Sequence, residues 1–222
     1  MRLFIKLFFC GLLFSFFAPA QALAEKTVSF EAYSGFAYNA PTQLTVTEKG
    51  KEDVTLMADW ETESFQDALY YGLRVGLWEG KKGWEIEFMH HKIKLTNAPE
   101  EIDSLEISHG YNLLTVNRAW ELEVGYVHLG LGFVFTHPDL RLRGKERDHG
   151  KNGVIPSLNI AGPTMQASIG RRYKMSDTVY GFLEGKITTT YATIEYDDGE
   201  IQAPNIALHL VFGLGFDYFT GE

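Results

Sequence analysis

Four side chains in the middle of this chain are of types that handle anions, protons or metals: His90, Lys92, Asn112 and His137. An imidazole gains or loses a proton near neutral pH, and two imidazoles with an oxygen donor can hold a divalent cation. An ammonium group is a point charge for phosphate, and a carboxamide both donates to and accepts from a sugar hydroxyl. His90 and His137 are therefore candidate metal or acid–base groups, Lys92 a candidate phosphate holder and Asn112 an orienting group. A second basic set, Arg141, Arg143 and Lys145, continues through Arg147 to His149 and Lys151 and suits phosphate capture. Each has a plain alternative, either a solvated loop or polar residues marking where a strand leaves an apolar layer. The Cys-pair, P-loop, G-x-S-x-G and H-E-x-x-H patterns of soluble enzymes do not occur, and the adjacency of Ser108 and His109 does not by itself make a dyad.

The elements that must position these groups have a period of two. From Leu208 to Phe219, the even positions Leu208, Leu210, Phe212, Leu214, Phe216 and Tyr218 are large and apolar or aromatic. The intervening His209, Val211, Gly213, Gly215 and Asp217 are polar or mostly small. Successive strand side chains point to opposite faces, so one face suits lipid and the other a crowded polar lumen. At the other end, Arg2 and Lys6, the apolar run Leu7 to Ala18 and the A-x-A site Ala22-Leu23-Ala24 have the form of an export signal. The run falls short of the ~20 residues that span a bilayer as a helix. The expected organisation is a cleaved signal over 1–24 and one outer-membrane barrel domain over 25–222. The single cysteine, Cys10, falls within the signal, so no disulfide framework is expected.

Eight amphipathic segments follow the signal: Val28–Asn39, Leu69–Trp78, Trp84–Leu95, Tyr111–Asn117, Leu122–His137, Gly162–Tyr173, Thr178–Tyr191 and Asn205–Phe219. Their connections alternate. Those around Ala40–Ala68, Thr96–Gly110, Pro138–Ala161 and Ala192–Pro204 are long, whereas Glu79–Gly83, Arg118–Glu121 and Lys174–Asp177 are short and polar. This pattern predicts an all-β, eight-stranded antiparallel transmembrane β-barrel with long extracellular loops and short periplasmic turns, in the outer membrane of a Gram-negative cell. Trp78, Trp84 and Trp120 flank the short turns and are expected to form an aromatic girdle. The first long loop, and the third, are expected to project as hairpins.

Parity places Glu31, Arg74, Glu85, Glu87, Thr115, Asn117, His128, Gln166, Glu184, Lys186, His209 and Asp217 inside. A barrel of eight strands is filled by its own side chains. Arg74, Glu85, Glu87, Glu184 and Lys186 are therefore expected to form an internal charge network, with a proton path or small pore as the alternative. The same parity brings His90, Lys92, Asn112 and His137 to the outer rim of three neighbouring strands, just above the apolar band. That is the depth of lipopolysaccharide sugars and phosphates. Lys92, with Arg141, Arg143 and Lys145 of the third loop, would bind lipid phosphate there. The acidic first two loops could share divalent cations or remain solvated. With 29 acidic against 20 basic residues the chain carries a net charge of −9, which argues against nucleic acid as a partner.

At these residues the chain resembles a known family. The stretches Ala58–Phe65, Tyr70–Arg74, His90-His91-Lys92, Ser108–Asn112, Gly130–Gly132 followed by His137, Gly162–Gln166 and Phe182–Lys186 are similar to the lipid A oxidase group of outer-membrane barrels. The likeness runs in consistent order over most of the chain after the signal. It implies oxygen-dependent oxidation of the proximal glucosamine of lipid A to an aminogluconate unit, with a divalent metal, by a monomer in contact with lipopolysaccharide. The acidic first loop and the tail Thr220-Gly221-Glu222 depart from the pattern, since barrels commonly finish on an aromatic residue. The alternative from another class is a noncatalytic outer-membrane barrel serving adhesion or envelope integrity. A lateral opening for hydrophobic molecules would need an apolar lumen, which the expected Glu/Lys/Arg interior opposes.

Overall fold

A computed structural model describes residues 26–62, 64–65, 69–136, 139–147 and 159–220, with the side chains of 108–110 and 159 left out. The expected signal, His137, His149 and Lys151 lie outside the described residues. Among those described, all regular structure is strand. The first six strands are β1 (Lys26–Ala40), β2 (Thr42–Glu48), β3 (Val54–Ala58), β4 (Trp60–Glu61), β5 (Tyr71–Glu79) and β6 (Lys82–Leu95). Next come β7 (Ile102–Leu122), β8 (Gly125–Thr136), β9 (Asp139–Leu142), β10 (Lys145–Arg147) and β11 (Asn159–Lys174). The last are β12 (Val179–Thr190), β13 (Thr193–Tyr196), β14 (Gly199–Gln202) and β15 (Asn205–Thr220).

Eight of these, in the order β7-β8-β11-β12-β15-β1-β5-β6, are antiparallel neighbours, and the β6–β7 pairing closes the cylinder. Closure removes both sheet edges, the condition for placing backbone in lipid. The strands are steeply tilted. Partners followed from Phe30 through Val75, Ile86, Val116, Leu131, Met165 and Thr189 arrive at Ile206, whereas Phe30 itself pairs with Phe216 on β15. That stagger is the shear that sets strand tilt and barrel width. The outward positions form an apolar belt of Leu, Ile, Val, Phe and Met, with charge only at its rims: Lys26, Glu79, Lys82, Arg118 and Arg171 below, and Lys92 above. A cylinder greasy outside and ionic inside is stable only in a bilayer, and this architecture belongs to outer membranes.

The short turns lie at one end. The expected turn Arg118–Glu121 is instead strand, and β7 reaches Leu122, which pairs with Gly125. Alternation continues through Arg118 and Trp120 outward and Ala119 inward, so these polar residues mark a rim and not a turn. The girdle also needs correction. Trp84 is half exposed on the outer face, but Trp78 is 6% exposed and inward, where its Nε1 donates to Ser29 Oγ at 3.0 Å. Trp78 shares the parity of Arg74 and Gly76, so it fills the lumen.

The lower lumen centres on Arg74. Its Nη1 donates to Glu31 at 2.7 Å, its Nη2 to Glu184 at 2.9 Å and to Glu87 at 3.2 Å, and its Nε lies 3.6 Å from Glu85. Lys186 pairs with Glu87 and Glu184 and donates to Tyr33 Oη. Asn117 and Gln166 donate to the other Glu87 oxygen at 2.8 and 2.6 Å. Arg172, also bound to Glu31 at 2.7 Å, closes the lower mouth among Trp78, Tyr126 and Tyr180.

Above the bilayer the loops fold into a second structure. Strands β13, β14, β2 and β3 form a four-stranded sheet, and β9–β10 adds a hairpin to the upper part of β7. The β9–β10 turn has both Arg143 (φ 49°) and Gly144 (φ 75°) in the left-handed region, as a two-residue hairpin turn requires. Leu44, Val46, Trp60, Ile93, Leu105 and Ile201 are among the side chains of the apolar core at this end. The expected projection of the first loop, and of part of the third, is present. The hairpin in the last loop was not expected, because its short alternation around Asp197-Asp198-Gly199 resembles a polar loop. Glu48 of the first loop pairs with Arg143 and Arg147 of the third, and Arg147 reaches Asp198 of the fourth at 2.8 Å. Beside this clasp, burial and the neighbouring Glu48 carboxylate raise the Tyr196 phenol above its ordinary pKa, and its hydroxyl donates to Thr47 O.

Replacing Arg74 with Met leaves buried carboxylates without their shared cation, and the expected cost is about 3–5 kcal/mol. It should appear as a lower temperature for loss of the compact, fast-migrating form on unboiled gels; an unchanged temperature would refute the role of Arg74. Glu48→Ala should instead speed proteolysis of the outer hairpins several-fold and leave that temperature unchanged.

Candidate functional site

His90 is the fulcrum of the outer rim. It pairs in register with Tyr71 on β5 and Asn112 on β7, two residues beyond the apolar triplet Leu73, Phe88 and Leu114. The structure brings His90 and Asn112 together: Nδ1 lies 2.7 Å from Asn112 Oδ1. The ring stacks on Tyr71, with centroids 5.2 Å apart and planes at 21°. Although it is on the lipid side of the strand, His90 is 8% exposed, against 43% for Tyr71. A carboxamide oxygen only accepts, so Nδ1 carries the hydrogen, and in the neutral ring the lone pair is on Nε2. Nε2 is buried without a hydrogen-bond partner among the described residues. The pair is thus a fixed tautomer presenting one basic nitrogen at the membrane rim.

Lys92 is on the same face and also buried, and its backbone oxygen accepts from Thr62 Oγ1 at 3.0 Å. Between His91 and Ile93 the partners jump from Tyr111 to Ile107, so extra residues of β7 are accommodated opposite Lys92. Arg141 and Lys145 are exposed on the third-loop hairpin, whereas Arg143 is engaged with Glu48.

Sequence parity left another constellation unused, immediately inside the wall. His91 points into the upper lumen, where its ring meets His209 at 5.1 Å and Tyr70 at 6.1 Å. Thr62 Oγ1 donates its one hydrogen to Lys92 O, so the 2.9 Å contact to His91 Nε2 makes that nitrogen the donor. His209 sits 3.1 Å from Tyr70 Oη and 2.9 Å from Thr188 Oγ1. Asn39 donates to Thr62, and Asn205 to Asn39, tying the tops of β1, β6 and β15 together. The signal was parity alone: Glu85, Glu87, Met89 and His91 share it.

A divalent metal does not fit the described residues. No group of three His, Cys, Asp or Glu side chains among them is placed to hold a metal ion, and the His90 ring has an amide, not a carboxylate, at its Nδ1.

No protein-family model matches the chain, and no curated protein matches it. Solved structures do. The chain is similar to the crystal structure of the outer membrane protein OprG from Pseudomonas aeruginosa, with a TM-score of 0.52 and 10% identity over 89% of this chain and 97% of that one. It is also similar to outer membrane protein AlkL in lipid bilayers (TM-score 0.46, 11% identity, 94% and 97% covered). Ail, the attachment invasion locus protein of Yersinia pestis, aligns with a TM-score of 0.40 and 11% identity over 89% of this chain and 100% of that one. At 10% identity the likeness to OprG establishes the fold alone, a small outer-membrane β-barrel.

Nitrogen NMR of ring-labelled protein should show His90 as the Nδ1–H tautomer, and Asn112→Leu should abolish that preference. A tautomer unaffected by the substitution would remove Asn112 from the site.

Proposed function

We propose that this outer-membrane barrel binds lipid A as a monomer at its outer rim and oxidises the proximal glucosamine to an aminogluconate unit. The observation that carries the reading is the His90–Asn112 pair, a buried, oriented imidazole whose Nε2 has no hydrogen-bond partner among the described residues, where the strands emerge at the outer rim. In this role Asn112 holds the ring, and His90 Nε2 takes the proton of the sugar hemiacetal hydroxyl. The carbon gives up its hydrogen and two electrons to dioxygen, which takes the hydroxyl proton from His90 and leaves as hydrogen peroxide, and water opens the lactone to the acid. Lys92, Arg141 and Lys145 are the cations for lipid phosphate, and the role assigned to Arg143 requires release from Glu48. His137 keeps its candidate roles as a second acid–base group and, with His90, as a metal ligand.

A noncatalytic reading, adhesion or envelope integrity, has its own support in the clasped extracellular sheet, a rigid platform that catalysis at the rim does not need. Mass spectrometry of lipid A separates the two. Cells bearing the protein should yield lipid A gaining one oxygen atom, and His90→Ala should abolish the shift while keeping heat-modifiable migration. Identical lipid A with and without the protein, and no peroxide from purified protein, would leave the platform reading.

A further inference from the structure

The opposite rim carries a second unassigned cluster. On the outer face of four adjoining strands the register sets Val28, Leu77, Trp84 and Arg118 side by side. Two residues further toward the short turns come Lys26, Glu79, Lys82 and Trp120. Lys26, Lys82, Arg118 and Trp84 line a cavity of about 530 Å³ together with Val28, Leu77 and Glu79. Its wall toward the belt is apolar, and its mouth is basic.

The cations here differ from those in the lumen. Arg74, Arg172 and Lys186 are all in ion pairs, but Lys26, Lys82 and Arg118 have no carboxylate within salt-bridge distance among the described residues. Arg118 is nonetheless held in place. Its guanidinium lies over Trp84 at 5.1 Å and Trp120 at 5.8 Å, and Nη1 donates to Gly83 O at 3.0 Å. That leaves further donors of the fork for a ligand. Three cations facing one carboxylate, next to side chains that contact acyl chains, call for an anion with a hydrocarbon tail. We propose that this pocket is a site for one anionic phospholipid of the periplasmic leaflet. Arg118 and Lys82 hold the phosphodiester, Lys26 faces it from β1, and Leu77, Val28 and Trp84 contact the glycerol and upper acyl carbons.

The proposal is independent of any activity at the outer rim. Its test is native mass spectrometry of the full barrel in detergent, titrated with phosphatidylglycerol, phosphatidylcholine or inorganic phosphate. One phosphatidylglycerol should bind in preference to phosphatidylcholine, and inorganic phosphate should not displace it. Lys82→Gln and Arg118→Gln should each weaken binding roughly fivefold, the effect of one surface cation on an anionic lipid. Lys82→Arg should retain it, and Glu79→Gln, which removes the opposing charge, should tighten it. Lys82 and Glu79 are exposed, so these variants test the site without burdening the fold. Equal retention of the two lipids, undiminished binding by Lys82→Gln with Arg118→Gln, or displacement by free phosphate would each overturn the proposal.

Discussion

Four carboxylates, Glu31, Glu85, Glu87 and Glu184, project into a space walled off from water by lipid, and the Arg74 guanidinium reaches all of them. Carrying a charge into such an interior is costly unless an opposite charge and hydrogen bonds meet it. Arg74 meets that condition from β5, and Lys186 and Arg172 extend it to either side. The constraint reaches back to the backbone. These residues come from β1, β5, β6, β11 and β12, so they can meet only when the cylinder is closed at this register and shear. A slip of one residue on β1, β6 or β12 would send a carboxylate into the lipid and an apolar side chain into the network.

Moving outward, the interior changes character. Above the charges come Tyr70, His91, His209 and the threonines of β12, and then an apolar core shared by the barrel tops and the loops. The transition matters for the outer site. His90 and His91 are consecutive, so one faces the headgroups and the other the lumen, and the contacts of Thr62 with His91 Nε2 and Lys92 O brace both from the first loop. A rigid wall behind His90 is what lets a single hydrogen bond to Asn112 decide its tautomer. The clasp around Glu48 in turn steadies the loops above it.

Much of this was legible from residue order. Alternation in β15, the rhythm of long and short connections, and the inward parity of Arg74 and Glu87 follow from side chains that switch faces at each residue. Where reading failed, two signals conflicted. Arg118 and Glu121 resembled a turn because polar residues occur both in turns and where strands leave the membrane. Trp78 resembled girdle because tryptophan favours interfaces, yet its parity already pointed inward. His91 gives no distinct signal in the sequence, because its inward parity is shared by every side chain that fills the lumen. The strands of the last loop were missed because a short, half-polar hairpin is stabilised mainly by the sheet it joins, here β14 against β2.

The amino-acid order alone determined a two-faced strand pattern, an even-numbered antiparallel cylinder and the sign of each charge within it, because these depend only on period and local turn chemistry. It also placed His90 and Asn112 on the same outer face. Tertiary structure decided which oxygen meets which nitrogen, that Arg143 is engaged with Glu48, and that Trp78 caps the lumen. It alone showed three rim cations without carboxylate partners among the described residues. Such outcomes depend on register between strands far apart in the chain, and pairing across a closed sheet is set by the fit of the whole interior and not by any segment read singly.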